Sequence, residues 1–117
     1  MKYDENNIFA KILRKEIPCD KVHEDDFSLF FNDINPQAKI HVLGIPKFRC
    51  TTFSDFLNNA NNENITSFFK SVQLVINNLN IEKSGYRLIT NSGEDGGQEV
   101  PHFHIHILAG EKIGSLR

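Results

Sequence analysis

Residues 101–108 read Pro-His-Phe-His-Ile-His-Ile-Leu, and no other run constrains the fold as tightly. On an extended strand successive side chains point to opposite faces. His102, His104 and His106 would therefore share one face, with Phe103, Ile105 and Ile107 on the other. Phe and Ile favour strands, so this alternation predicts a half-buried strand over 101–108. The run also holds three of the chain's five histidines. Three imidazoles in a row, backed by core side chains, point to chemistry rather than to packing alone.

The rest of the pattern fits one α+β domain over residues 1–117. Ile8, Phe9, Ile12 and Leu13 fall at helical spacing behind Asn7, a candidate N-cap. That helix should end before Pro18. Residues 21–24 and 27–32 read as short strands joined at Asp25-Asp26, and 40–45 as a strand stopped by Pro46. Ile65, Phe68, Phe69, Val72, Ile76 and Leu79 step by three and four, which predicts a long amphipathic helix closing near Asn80. The Asn-rich segment 58–64 reads as a polar connection. Residues 86–90 read as a strand, and 91–99 as a glycine-rich loop leading into the histidine run. Most connections are too short for parallel crossovers. The expectation is a five-stranded, mainly antiparallel sheet with two helices packed on one side.

A net charge of −2 argues against a nucleic-acid or anionic-membrane partner. The N-terminal residues lack the apolar core of a signal peptide. No apolar run approaches the ~20 residues needed to span a bilayer. Cys19 and Cys50 are isolated and lack CxxC spacing. A reduced, cytoplasmic protein without a disulfide framework is expected.

Ordinary solvent-facing strand histidines would explain one such residue more readily than three. A metal site is a second reading, since neutral imidazole ligates zinc at about 2.0–2.1 Å. His102 and His106 would stand roughly 13 Å apart along a strand at ~3.3 Å per residue. They could not share one ion, and a metal would need a distant residue such as His41 or Asp33. The third reading is nucleophilic and acid–base catalysis. Imidazole titrates near neutral pH, and neighbouring rings split their pKa values, so a row can hold different protonation states. A neutral nitrogen can attack phosphorus while a neighbour binds its oxygens.

The loop Asn91-Ser92-Gly93-Glu94-Asp95-Gly96-Gly97-Gln98-Glu99 supports the third reading. Glycines let backbone N–H groups approach an anion, and Asn91 and Gln98 can add side-chain donors. Glu94, Asp95 and Glu99 would repel a phosphate unless they point away.

Together these residues resemble the histidine-triad (HIT) family, whose signature His-φ-His-φ-His-φ-φ (φ apolar) is met at every position of 102–108. Further blocks resemble the Hint branch, the histidine-triad nucleotide-binding proteins. They are Ile8-Phe9-Ala10-Lys11-Ile12, Lys15-Glu16-Ile17-Pro18, Glu24-Asp25-Asp26, Phe31-Asn32-Asp33-Ile34-Asn35-Pro36-Gln37-Ala38, His41-Val42-Leu43-Gly44-Ile45-Pro46-Lys47 and Gly96-Gly97-Gln98. The blocks keep the family's order and cover most of residues 8–110. His106 fits the hydrolases, since the transferase branch carries Gln there.

The resemblance implies a five-stranded antiparallel sheet with helices on one face, and a homodimer. It implies hydrolysis of nucleoside 5′-phosphoramidates or acyl-nucleotides, of AMP or GMP, through a covalent nucleotidyl-histidine. His104 would be the nucleophile, His106 would contact the phosphate and departing atom, and His102 and His41 would support them. Asp33 would bind the ribose hydroxyls. Ile8, Phe9, Ile12, Phe31 and Ile34 would wall the base, and Asn91, Gly97, Gln98 and Glu99 would form the phosphate loop. No cofactor and no metal are implied. Arg49 and Asn32 stand where many relatives have histidine, and Glu99 where some have Ser. A nucleotide-binding scaffold with little catalysis, or a metal-binding module, are the alternatives.

Overall fold

The structure is a computed structural model that describes residues 2–116; Met1 and Arg117, the end positions of the expected domain, lie outside the described residues. Its elements run α1 (Ile8–Leu13), β1 (Lys21–Glu24), β2 (Ser28–Asn32), β3 (Ile40–Pro46), α2 (Phe53–Asn59), α3 (Asn62–Asn78), β4 (Arg87–Ile89) and β5 (Ile105–Ala109). The five strands form one sheet in the order β1-β2-β3-β5-β4, antiparallel at every pairing. The α+β class and the five-stranded antiparallel sheet are those expected.

Period-two alternation divides the sheet into two apolar faces. Phe30, Val42, Ile105, Ile107 and Ala109 meet Phe56 of α2 and Phe68, Val72, Val75 and Ile76 of α3. Leu29, Phe31, Leu43 and Ile45 point the other way, onto Phe9 and Ile12 of α1. Each such side chain contributes roughly 1.5–3 kcal/mol when fully buried. The helices therefore do not all pack on one side. α2 and α3 cover one face, and α1 stands on the other. By the same alternation His41 and His106 lie on the α1 face.

Local chemistry sets the helix ends. Asn7 caps α1, its side-chain oxygen accepting from the Ala10 amide at 2.9 Å. α1 ends at Leu13, ahead of Pro18. Lys15 takes a left-handed φ of 65°, and the amides of Lys15 and Glu16 return to the carbonyls of Ile12 and Lys11 at 3.0 and 2.9 Å. Thr52 caps α2 and Asn61 caps α3 through Asp55 N and Asn64 N.

Three details differ from the expectation. The short helix α2 adds a third helix. Its single fully buried residue, Phe56, leaves no apolar stripe to read. The Asn-rich segment 58–64 is not a loop: only Ala60 and Asn61 separate α2 from α3, and its asparagines serve as helix ends and caps. The histidine strand starts at Ile105, not Pro101. Ahead of it, the Phe103 amide donates to Cys50 O and the His102 amide to Val100 O, both at 2.9 Å, so those groups are not spent on the sheet ladder.

A half-buried carboxylate clamps the β1–β2 turn to α3. Asp25 accepts from the Phe27 amide, Ser28 Oγ, Ser71 Oγ of α3 and His23 Nε2. Burial alone would raise its pKa, but these donors outweigh burial and bring it to about 2. Among the described residues no helix is long and apolar enough to cross a membrane.

Candidate active site

The site lies on the α1 face, where β3 and β5 run side by side. His106 stands opposite Leu43 in the ladder, which makes His41 its diagonal neighbour. Their rings meet, with His41 Nε2 2.9 Å from His106 Nδ1. The segment leading into β5 brings His104 alongside, its ring centroid 5.1 Å from that of His106. Thr90 Oγ donates to the His104 carbonyl at 2.8 Å, and Phe9 of α1 meets the His104 ring edge-on at 4.9 Å.

The hydrogen bonds set which nitrogen carries each proton. A carbonyl can only accept, so His104 Nδ1, 2.7 Å from the His102 carbonyl, bears the hydrogen. When the ring is neutral, His104 Nε2 is left with a lone pair. His102 Nε2 lies 2.9 Å from Pro46 O and bears a hydrogen for the same reason, so its Nδ1 accepts from the Tyr3 hydroxyl at 2.7 Å. The Gln37 amide donates to His41 Nδ1 at 3.0 Å, which places the His41 hydrogen on Nε2. That hydrogen goes to His106 Nδ1, and the neutral His106 ring then carries its own hydrogen on Nε2. The row thus presents one acceptor, His104 Nε2, beside one donor, His106 Nε2–H.

Burial keeps all four rings neutral at pH 7. It lowers the pKa of His102 to about 4 despite the Pro46 contact. It brings His106 to about 4 as well, aided by repulsion from the neighbouring rings of His104 and His41. His104 is lowered by burial, partly offset by its bond to the His102 carbonyl and by the carboxylates of Asp33 and Glu99. His41 is lowered by burial, partly offset by Asp33, whose Oδ2 stands 3.4 Å from Nε2.

A cleft of about 500 Å³ opens on His104 and His106. That volume suits a small molecule. Of the residues singled out from the sequence, Ile8, Phe9, Ile12, Phe31, Asp33, Ile34, His41, Asn91, Gly97 and Glu99 also line it. Ile34 is 87% exposed and stands at the rim. Leu43, Ile17, Cys19 and Val100 line the cleft too and were not singled out. Leu43 was legible, since it alternates with His41.

His102 and Gln98 are not in the wall. His102 is fully buried behind His104. The Gln98 side chain, expected as a donor to phosphate, bonds backbone groups in this structure. It donates to the carbonyls of Thr51 and Val100 at 2.6 and 3.0 Å, and accepts from the Gly93 amide at 2.9 Å. Two loop amides are likewise committed, Gly97 N donating to Glu94 O and Gln98 N to Gly93 O, both at 3.0 Å. Asn91 Nδ2 holds Gly96 O at 2.8 Å. Glu94 and Asp95 are exposed outside the wall, whereas Glu99 is part of it.

Asp33, His41 and His106 bring ligand atoms within 4.8 Å of one another, the spacing of a metal site. The hydrogen bonds disfavour that use. The Gln37 amide occupies the His41 Nδ1 lone pair, so neutral His41 has a hydrogen, not a lone pair, on Nε2.

The family model described as HIT domain matches residues 14–113. An uncharacterized 13.2 kDa HIT-like protein of Azospirillum brasilense is 47% identical over 114 residues, 97% of this chain and 93% of that protein. A purine nucleoside phosphoramidase of Escherichia coli is 42% identical over 113 residues, 96% of this chain and 93% of that one. The crystal structure of a HIT family hydrolase from Legionella pneumophila superposes with a TM-score of 0.86 at 38% identity, covering 93% of this chain and 96% of that chain.

Proposed function

This chain belongs to the HIT family, and from that premise we propose that it is a nucleoside phosphoramidase working through a nucleotidyl-histidine on His104. The observation that carries the reading is the tautomer set by the His102 carbonyl. It leaves His104 Nε2 as an uncharged lone pair in the cleft wall, which is what a nucleophile at phosphorus requires.

In the first step Nε2 forms a bond to the α-phosphorus while the P–N bond to the amine breaks. Charge gathers on the phosphoryl oxygens, and His106 Nε2–H is the donor that meets it. His106 does not supply the departing nitrogen's proton, because a neutral ring that gave up Nε2–H would be left an imidazolate. A water at the open side of the cleft gives that proton. The hydroxide so formed then displaces His104 from phosphorus, releasing the nucleoside monophosphate. Asp33 holds the ribose hydroxyls with its acceptor-only carboxylate. The apolar side chains of Phe9, Ile12 and Phe31 pack on the base.

The charge of the wall supports this substrate class. Among the described residues lining the cleft are the carboxylates of Asp20, Asp33 and Glu99, and no Lys or Arg. Polyphosphate chains bind to cations or metal clamps, whereas a phosphoramidate carries one phosphoryl charge. The test is release of AMP from an adenosine phosphoramidate by purified protein after chelation. His104→Ala should lose at least ~10³-fold in turnover, as removal of a nucleophile does. Undiminished turnover in that variant would falsify the assignment.

A further inference from the structure

Tyr3 stands ahead of residues 14–113, the part matched to the HIT domain, yet it touches the histidine row. Its hydroxyl oxygen lies 2.7 Å from His102 Nδ1, and the two rings meet edge-on with centroids 5.5 Å apart. We propose that Tyr3 is a positioning residue for the nucleophile: its hydroxyl donates to His102 Nδ1 and so holds the main-chain carbonyl that orients His104.

The direction of that bond follows from its surroundings. Pro46 O takes the hydrogen on His102 Nε2, so the neutral ring has a bare lone pair at Nδ1. His102 is fully buried, and a lone pair without a donor there would cost the desolvation of a polar group. Burial also raises the Tyr3 pKa, which keeps its hydroxyl protonated. The ring of His102 is thus pinned from two sides, by Tyr3 and Pro46. Its backbone amide is fixed to Val100 O at 2.9 Å. Its carbonyl, held by these three bonds, receives His104 Nδ1–H.

Tyr3 is itself held by the turn into α1. The carbonyl of the next residue, Asp4, accepts from the Asn7 amide at 3.0 Å and from Asn7 Nδ2 at 2.7 Å. Asn7 is the α1 cap, and α1 carries Phe9 against the His104 ring. One short segment therefore delivers both a hydroxyl behind the nucleophile and an aromatic edge beside it.

The inference rests on the nucleotidyl-histidine reading, and its test separates the two. The full chain and Tyr3→Phe are mixed in excess with an adenosine phosphoramidate, quenched on the millisecond scale, and the adduct is quantified by mass spectrometry. Tyr3→Phe should form the adduct about fivefold more slowly, with KM within about twofold, since one neutral hydrogen bond is lost. The final adduct yield per folded chain should match wild type. An equal rate, or a lower yield at an unchanged rate, overturns the positioning role. If wild type forms no adduct, the parent reading falls and imidazole nitrogen NMR decides the contact alone. Removing the hydroxyl should then move the His102 Nδ1 resonance toward that of an unbonded ring nitrogen, and an unmoved resonance overturns the proposal.

Discussion

Acidification should destabilise this protein in a window set by its histidines. His102 has a folded pKa of about 4 against an ordinary 6.5. Between those values the unfolded chain binds a proton that the folded chain refuses. The contribution is therefore fully present above the unfolded value and is lost as pH falls toward the folded one. At about pH 5 nearly all unfolded copies carry the proton and only about a tenth of folded ones do, a loss of about 2 kcal/mol from this ring alone. His106 shifts the same way, but its ring faces the cleft, so solvent screening reduces its share. Asp25 does not confuse the result. Its contribution is present above the ordinary carboxylate value of 3.8 and is lost only as pH falls toward about 2. Urea unfolding at about pH 7.5 and pH 5 measures the difference directly. A loss of 2 kcal/mol or more is expected, and stabilities agreeing within about 0.5 kcal/mol would refute the claim that His102 is buried in its neutral form.

Other perturbations test the frame around the site. A Cβ at Gly44 would come within 2.3 Å of Phe30, which is fully buried and stacked on Phe68. Gly44→Ala should cost about 1–3 kcal/mol in chemical denaturation, as overpacking does. Asp25→Ala removes the acceptor of four donors linking the β1–β2 turn to α3, and should cost about 2–4 kcal/mol by the same assay. Gln98→Ala cuts two bonds from the glycine loop to the Thr51 and Val100 carbonyls and one inside the loop from the Gly93 amide. It should lower turnover and raise hydrogen exchange over 91–99, whereas intact exchange protection there would count against its bracing role.

Much of the fold was legible because burial writes itself into side-chain periodicity. The three-and-four stepping of α3 and the alternation in β2, β3 and β5 map onto the apolar faces the structure shows. Alternation reports where side chains point, not which backbone groups pair. For that reason the run 101–104 read as strand although the Phe103 amide bonds Cys50 outside the sheet. α2 buries too little to leave a stripe. The side of α1 was also hidden, since a six-residue helix does not say which sheet face its Phe9 and Ile12 will meet.

The site was legible as residue types but not as a proton arrangement. His104 and His106 stand out in the run itself; His41 and Asp33 come forward first as distant candidate ligands, and resemblance gives them their supporting and ribose-binding roles. The Gln37 amide, which fixes the His41 tautomer, is a backbone group that no residue pattern announces. Tyr3 lies outside every quoted block, 99 positions from the ring it touches. Gln98 was read as a donor to phosphate because a side-chain amide in a glycine loop can serve either use. The fold spends it on three backbone partners.

The decisive measurement is where a trapped nucleotide sits. Protein quenched in acid-free denaturant during turnover of an adenosine phosphoramidate, then digested and sequenced by mass spectrometry, should carry the AMP mass on His104. Adenylation found instead on His106 or His41, or steady turnover with no adduct on any residue, would contradict the assignment of His104 as the nucleophile.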